Sequence, residues 1–510
     1  MRHGTPSAYT VFTAIALASI LVLSAFLTFS AYIGPSVGNI DDYFYVYYGY
    51  LLGHVGLSSL PQFNLVAIKY ALIYSIALSF EAFGTSAYAA VLPEYMFFAV
   101  TIVLVCLIGY ILYGRVAGIL ASFVYSISPI AILQTTTVGD TVPAAMFVTA
   151  AMLFYVLYKK RNLNVYMALS GFFCIIGALA DIEAVIITVP VLALLLISYF
   201  GGGRDKAKKK IGLLAFFCGA ALGVTLLLIM VYGIFGNASY IVGLLGTYIA
   251  PIRSPLGSNY VLSYLYWMLG LGNPPMHAFY YPILQVYLLV MTLSSVAFAV
   301  LLNKKAVEMS TWAALVFIML VATTTNILNI PHLRYILVFI PALAVLIGGG
   351  ASFAVALIRS KYKKHAYMRA GYAIVVFALI FVISLVSLYT VHNINSFNIL
   401  VNSPFIQTAK WIEQLHTDVY VQTGGLLGYS MAAVLSVDTD MNGAIEPLFN
   451  TSCSSIDSTV NNGSYVVLVG FVTDGCGMRP MNVAVMPDLS AYPFANATVS
   501  YYMPKVYQKQ

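Results

Sequence analysis

Residues 41–56 read DDYFYVYYGYLLGHVG. Two adjacent carboxylates open the stretch, and a run of aromatic and aliphatic side chains follows them directly. Carboxylates are rare over most of the chain: before residue 392 there are only Asp41, Asp42, Glu81, Glu94, Asp140, Asp181, Glu183, Asp205 and Glu308. One Asp at a helix start is stabilised by the helix dipole. Two side by side repel, so the second needs another reason. Which side of a membrane the pair occupies, if there is a membrane, decides the reading of everything else.

Composition supplies the membrane. Of 510 residues, 61% are hydrophobic and only 8% charged, with a mean hydropathy of +0.91. Soluble domains carry about 25% charged residues. The length leaves room for many apolar spans of about 20 residues each. The net charge of +7 is not spread over one face but sits in short clusters between apolar runs. That is a topology signal and not a nucleic-acid footprint.

The clusters give one consistent topology. The first apolar segment, 9–33, follows Arg2 and His3 and is too long for a signal-peptide core, so it reads as an anchor. Spans drawn at 88–112, 114–133, 142–158, 165–181, 184–200, 211–235, 280–302, 308–326, 333–357 and 370–391 complete a set of eleven. They put Lys159-Lys160-Arg161, Arg204 to Lys210, Lys304-Lys305 and Arg359 to Arg369 on one side. Of the 24 Lys and Arg, 17 then lie inside and seven outside, the bias expected of cytoplasmic loops. The N-terminus is predicted inside and the C-terminus outside. Residues 63–83 (FNLVAIKYALIYSIALSFEAF) are long enough to span, but a span there would reverse every later basic loop. They read instead as a helix lying in the outer interface, with long cationic side chains reaching to water. The first outer loop, 34–87, holds the aspartate pair.

From residue 393 the composition changes. The segment 393–510 carries eight of the seventeen acidic residues and three Asn-x-Ser/Thr sequons, at Asn450, Asn462 and Asn496, with a fourth at Asn237 in the outer loop 236–279. PFIQTAKWIEQL reads as an amphipathic helix, and DVYVQT, SYVVLVGFV and NVAVMP as strands. The expected organisation is therefore a transmembrane domain, 1–392, followed by a small extracytoplasmic α/β domain, 393–510. Cys453 and Cys476 in that domain are the candidate disulfide in an oxidising compartment. Cys106, Cys174 and Cys218 fall in spans and read as small apolar packing residues.

The outer acids at membrane depth are Asp41, Asp42, Asp140 and the pair Asp181/Glu183, with Glu81 and Glu94 flanking the interfacial helix. Each has a bland reading. Asp140, with Pro143 close behind it, suits a helix cap, and Asp181/Glu183 suit a polar turn. The outer cations near the membrane are Lys69, Arg253 and Arg334, the last at the start of the span in PHLRYILVFIPALAVL. Arginine grips phosphate through a planar fork of donors. Carboxylates and scattered cations at one interface suit chemistry on a lipid phosphate: the acid activates an acceptor and the cation stabilises the phosphate that leaves.

These residues resemble a family. DDYFYVYYGYLLGHVG looks like the first outer-loop motif of the membrane-embedded C-type glycosyltransferases, in the protein-mannosyltransferase/aminoarabinose-transferase branch. The resemblance runs on through FEAFGTSAYAAVLPEYMFF and YILYGRVAGILASFVYSISPIAILQTTTVGD to the late LRYILVFIPALAVL and to AKWIEQLHTDVYVQT in the tail. It is strongest over residues 35–200. By resemblance Asp41 matches the catalytic Asp, Asp42 its usual Glu partner, Asp140 the second-loop acid and Arg334 a donor-phosphate ligand. The chain departs from the family in having Asp at 42, LPQFNL in place of a Pro-Pro before the interfacial helix, and ALADIEA in place of a Thr-Lys after the fifth span.

What the resemblance implies is a polytopic helical enzyme of a prokaryotic plasma membrane. It would transfer a sugar from a polyprenyl (dolichyl) phosphate to a protein, lipid or glycan acceptor on the outer face, with inversion. Asp41 is the expected general base, and Arg334, Lys69 and Arg253 the candidate ligands of the donor phosphate. Asp41, Asp42 and Asp140 are also the oxygen ligands that a Mg or Mn ion would use, which some branches of the family require. His54, His277 and His332 with Glu81 form a less favoured nitrogen-rich alternative. A transporter or flippase for a lipid-linked sugar would share the many spans, but would place its acids near the midplane of broken helices. An oligosaccharyltransferase would carry a Trp-Trp-Asp motif, whereas Trp267, Trp312 and Trp411 are isolated. A non-catalytic relative is the remaining alternative.

Overall fold

The computed structural model describes residues 8–31, 40–56, 69–136, 138–200, 206–236, 281–328, 333–361, 378, 381–389, 391–392, 407–412, 414–415, 419–422, 445–448, 453–469, 478–481, 483 and 504–509. It is predominantly helical. The helices are α1 (Ala8–Ala31), α2 (Ile40–His54), α3 (Tyr70–Phe83), α4 (Ala87–Tyr113), α5 (Arg115–Ser126), α6 (Pro129–Thr136), α7 (Thr141–Arg161), α8 (Asn164–Ile176), α9 (Thr188–Phe200), α10 (Lys206–Phe235), α11 (Tyr281–Leu302), α12 (Val307–Leu328) and α13 (Ile340–Lys361). Among the described residues five helices are long and apolar enough to cross a membrane alone, and a sixth span results if the bent pair α5–α6 is one element. The chain is a multi-pass membrane protein.

Most of the predicted spans coincide with helices, but several are interrupted. The span at 114–133 is two helices meeting at 53° across Ile127 and Ser128. Pro129 explains the break, since it has no N–H to continue the ladder, and Ser128 starts the new helix. The spans at 165–181, 184–200 and 333–357 each include a 3-10 turn, at Gly177–Leu179, Ile182–Ile187 and Leu333–Val338. The span at 370–391 lies mostly outside the described residues. Helix α3 covers 14 residues, about 21 Å at 1.5 Å per residue, too short for a hydrocarbon core of about 30 Å.

Two compact units emerge: residues 1–28, 95–134 and 140–391, and residues 29–94, 135–139 and 392–510. In the first, small residues let backbones touch. A Cβ added to Gly171 of α8 would run into the Phe216 carbonyl of α10, and one added to Gly219 of α10 into the Ala168 carbonyl of α8. Such contacts drive helix association where lipid removes the hydrophobic term. Basic ends also gather: Tyr113 donates to the Lys305 carbonyl at 2.8 Å, and Lys159 forms an ion pair with Glu308. The sequence topology assigns all four residues to the same side.

Helices α1 and α4 run antiparallel side by side. The Tyr95 hydroxyl donates to the Leu21 carbonyl at 2.8 Å, and the rings of Phe29 and Tyr88 are 6.4 Å apart. The end of α1 and the start of α4 therefore share a side, and α2 and α3 are inserted between them in the chain.

In the second unit the tail forms a five-stranded sheet. Its strands are β1 (Val419–Gln422), β2 (Ile445–Leu448), β3 (Tyr465–Val469), β4 (Arg479–Met481) and β5 (Pro504–Gln508), in the order β2-β1-β3-β5-β4. β1 pairs in parallel with β2 and β3, with Val419 opposite both Ile445 and Tyr465; β5 is antiparallel to β3 and β4. Tyr420, Val460, Val466 and Met478 make its core, and Trp411 meets Tyr465 edge-on at 5.0 Å. A short helix, α14 (Cys453–Thr459), precedes β3. The expected strand NVAVMP falls almost wholly outside the described residues. Cys453 is disulfide-bonded, and Cys476 is outside the described residues. Cys106, Cys174 and Cys218 are free.

Candidate functional site

The aspartate pair sits in the first turn of α2, where the helix dipole favours negative charge. The side chains of Asp41 and Asp42 lie outside the described ones, so the surroundings of the pair are read from its helix. α2 packs on α3 through two glycines: a Cβ on Gly49 would meet Ile76 at 2.8 Å or less, and one on Gly53 would touch Ala77 at 3.6 Å. Further toward the start of α2, the Lys69 ammonium lies 5.8 Å from the centre of the Tyr45 ring, a cation–π distance. Tyr45 is one turn on from Asp41. The two helices thus run the same way, and the start of α3, with its cation, lies at the end of α2 that carries the carboxylates.

The rest of this helix pair is aromatic. Tyr45, Val46 and Tyr48 are buried. Burial raises the phenols of Tyr50 and Tyr70 above their ordinary value, Tyr74 adding to the shift at Tyr70; both stay neutral hydrogen-bond donors at physiological pH. His54 stacks on Tyr50 at 4.2 Å and its Nδ1 meets the Tyr50 carbonyl at 3.0 Å, at the opposite end of α2 from the aspartates. Glu81 is exposed. His277 and His332 lie outside the described residues. Among the described residues no three His, Cys, Asp or Glu side chains come together as a cation site.

The second acid belongs to the first unit. Asp140 is completely buried at the residue before α7, and Thr141 donates its hydroxyl to Asp140 Oδ1 at 3.3 Å. The bland reading, a helix cap, fails. Asp140 makes no side-chain cap bond, and its φ of −67° and ψ of −17° are helical, whereas capping residues are extended. Asp181 is also buried, in the turn between two 3-10 segments, where its N–H donates to the Gly177 carbonyl at 3.0 Å and its carbonyl accepts from Ala184 at 2.9 Å. Gly177 in turn lies against Phe147, on the early part of α7. The side chain of Glu183 is not among those described. The 3-10 turn Leu333–Val338, which bears Arg334, packs on α7 as well. The Arg334 side chain and all of Arg253 lie outside what is described.

Two residues escaped the sequence reading. Glu94, expected on the outside beside the interfacial helix, is wholly buried in α4, and among the described residues neither carboxylate oxygen has a hydrogen-bond partner. Its position after Pro93 in the apolar run VLPEYMFF was the signal that could have singled it out. Val138 is buried with φ +47°, a left-handed conformation that β-branched residues avoid. No sequence pattern announces it.

Comparison with known proteins adds three results. Residues 70–237 match the family described as dolichyl-phosphate-mannose-protein mannosyltransferase. No curated protein sequence matches the chain. Among solved structures, ArnT from Cupriavidus metallidurans in the apo state superposes with a TM-score of 0.59 at 12% identity, covering 98% of each chain. The same protein bound to undecaprenyl phosphate gives 0.58 at 11% identity over 99% of this chain and 98% of that one. The Archaeoglobus fulgidus oligosaccharyltransferase in complex with Zn and sulfate gives 0.56 at 13% identity, over 89% of this chain and 68% of that one. At such identities the likeness is one of fold.

Proposed function

We propose, for a chain with the architecture of the C-type membrane glycosyltransferases of the protein-mannosyltransferase/aminoarabinose-transferase type, that it transfers a sugar from a polyprenyl-phosphate carrier to a hydroxyl-bearing acceptor at the outer membrane face. The observation that carries the reading is the parallel packing of α2 and α3, with Lys69 5.8 Å from the Tyr45 ring, one turn from the aspartate pair. A carboxylate pair and a cation at one end of two packed helices suit a base and a phosphate ligand.

In the proposed reaction Asp41 removes the proton of the acceptor hydroxyl. The acceptor oxygen bonds to the anomeric carbon from the face opposite the phosphate. The carbon–oxygen bond to phosphate breaks, the phosphate keeps the electron pair, and the anomeric configuration inverts. Lys69, Arg334 and Arg253 would take up the charge on the departing lipid phosphate. Asp42 and Asp140 would orient the reacting groups. A Mg or Mn ion remains the cation such carboxylates would hold, but the described residues do not assemble its site, and the proposed steps rest on the protein's own charges.

An apolar cavity of about 350 Å³ between α11, α12 and α13, lined by Leu289, Leu293, Val296, Phe317, Phe339 and Leu346, supports a lipid-linked donor. Phe339 follows Arg334 by five residues, so an isoprenoid could run from the phosphate ligand into the membrane. ArnT is known with undecaprenyl phosphate, and the Archaeoglobus oligosaccharyltransferase with a dolichol phosphate and with acceptor peptide. The proposed topology has eleven spans, the N-terminus in the cytoplasm and residues 393–510 as an extracytoplasmic α/β domain closed by Cys453 and Cys476.

The test is transfer by purified protein from radiolabelled dolichyl-phosphate hexose to candidate acceptors. Asp41→Asn should lower kcat by about 10²–10⁴-fold, the usual contribution of a general base. Equal transfer by wild type and variant, or failure of both to bind the lipid, would end this reading.

A further inference from the structure

The depth of the apolar cavity between α11, α12 and α13 follows from its walls. α11 ends and α12 begins at the turn Asn303–Ala306, which carries Lys304 and Lys305. Ala299 and Ser310, on the cavity floor, are about 5 Å from the helix ends at that turn, at 1.5 Å per residue. Phe317, near the roof, is about 15 Å from it on the same scale. Its ring meets that of Phe339 edge-on at 5.8 Å, so Phe339 stands near the middle of a hydrocarbon core about 30 Å thick. From Phe339 α13 descends toward the same turn: Gly350 lies against Phe298, and the Lys305 ammonium is 5.4 Å from the Phe353 ring centre. Arg334 precedes Phe339 in the 3-10 turn and so lies the other way, about 10 Å off at 2.0 Å per residue. The cavity and Arg334 thus occupy opposite halves of the membrane.

The walls also bear on the occupant. Leu293 and Val296 are exposed, so the cavity opens sideways to lipid and a chain can enter it from the bilayer. The lining is apolar except for three hydroxyls. Ser295 spends its own on the Met291 carbonyl at 2.7 Å, whereas the buried Thr292 hydroxyl has no hydrogen-bond partner among the described residues. A saturated acyl chain offers that hydroxyl nothing, and an isoprene double bond offers a weakly accepting π face.

We propose that this cavity is a chain-length gauge, holding the isoprene units of the donor that lie beyond the first few; this rests on the polyprenyl-phosphate donor and on Arg334 as a ligand of its phosphate. A geranyl chain extends about 10 Å, at C–C bonds of about 1.5 Å, and ends at Phe339. A dolichyl chain passes Phe339 and fills the space down to Ala299 and Ser310. Its contacts there are many and individually weak, and only a long carrier collects them.

The test compares transfer from dolichyl-phosphate hexose and geranyl-phosphate hexose in one detergent, for wild type and for the cavity-filling variants Ala313→Phe and Ala299→Leu. Wild type should favour the dolichyl donor about tenfold in kcat/KM, and each filling should cut that preference to about twofold. Partition of the donors into detergent is common to all three proteins and cancels in this comparison. Thermal melting gives a second readout that needs no turnover. Dolichyl phosphate should raise the wild-type Tm more than geranyl phosphate does, and the fillings should erase the difference. Equal use of the two donors by wild type would overturn the proposal. So would a preference that survives both fillings, the result expected if an ordinary membrane lipid occupies the cavity. Where a filling abolishes transfer altogether, an undiminished difference in Tm shift overturns it. No transfer from either donor by wild type, with the difference in Tm shift intact, would instead refute the transfer reaction and leave the gauge standing.

Discussion

The hydroxyl of Ser79 on α3 donates to the carbonyl oxygen of Ala89 on α4 at 2.6 Å. That carbonyl lacks its helical donor, because the residue four positions on is Pro93. The proline opens a socket in α4, and a serine from the neighbouring helix fills it. Both residues are buried, so the bond docks α3 on α4. Ser79→Ala should destabilise the protein by about 1–3 kcal/mol, the cost of a buried carbonyl left unpaired. In a Pro93→Ala background the carbonyl regains its own N–H and the same change should be close to neutral. Equal losses in both backgrounds, measured by thermal unfolding in detergent, would show that the socket is not what holds α3.

Glu94 follows that proline and has both carboxylate oxygens buried and unpartnered. A polar group in that condition costs about 1–3 kcal/mol by mutational scales. Glu94→Leu, of similar size, should therefore raise the melting temperature. A lower melting temperature would reveal a compensating partner.

Lys69 is the one candidate phosphate ligand whose side-chain position is described. Lys69→Ala should raise the KM for the lipid-phosphate donor about tenfold, since a charge-assisted hydrogen bond is worth about 1.5–3 kcal/mol, and should leave the acceptor KM alone. Lys69→Arg should recover most of the affinity. If donor and acceptor KM rise together, the lysine is holding α2 and α3 together and not the phosphate.

Asn462 is exposed in the turn before β3, in the sequon Asn462-Gly463-Ser464, where Gly463 takes φ +86°. Translated into microsomes, the chain should acquire a glycan at this site if the tail faces away from the cytoplasm. The gel shift should be reduced by Asn462→Gln and by endoglycosidase. An unmodified Asn462 would reverse the proposed orientation of the tail.

The helices were legible because lipid imposes long apolar runs and basic loops mark a side; α4, α7 and α10 follow directly from that. For residues 63–83 the charge rule and hydropathy point opposite ways; the described part of the segment is a 14-residue helix, and residues 63–68 lie outside the described residues. What failed was local backbone chemistry. Asp140 has every sequence mark of a cap, and only its helical dihedral angles and the lack of a side-chain cap bond show that it is none. Glu94 reads in the sequence as an outer acid at membrane depth flanking the interfacial helix, and its complete burial shows only in the packing of α4. β4 and β5, with sequences RPM and PKVYQ, are too short and polar to show the alternation that betrayed β1 and β3.

The glycine crossing of α8 and α10 bears on how the protein is made. With its 3-10 extension, α8 runs from Asn164 to Leu179, about 24 Å at 1.5 Å per residue, against a hydrocarbon core of about 30 Å. A segment that short partitions poorly alone and gains its place by pairing. Gly171 and Gly219, where any side chain would strike a backbone carbonyl of the other helix, are the seam of that pairing. Substitutions there should register as failed insertion and degradation during biogenesis, and the few molecules that mature should work normally.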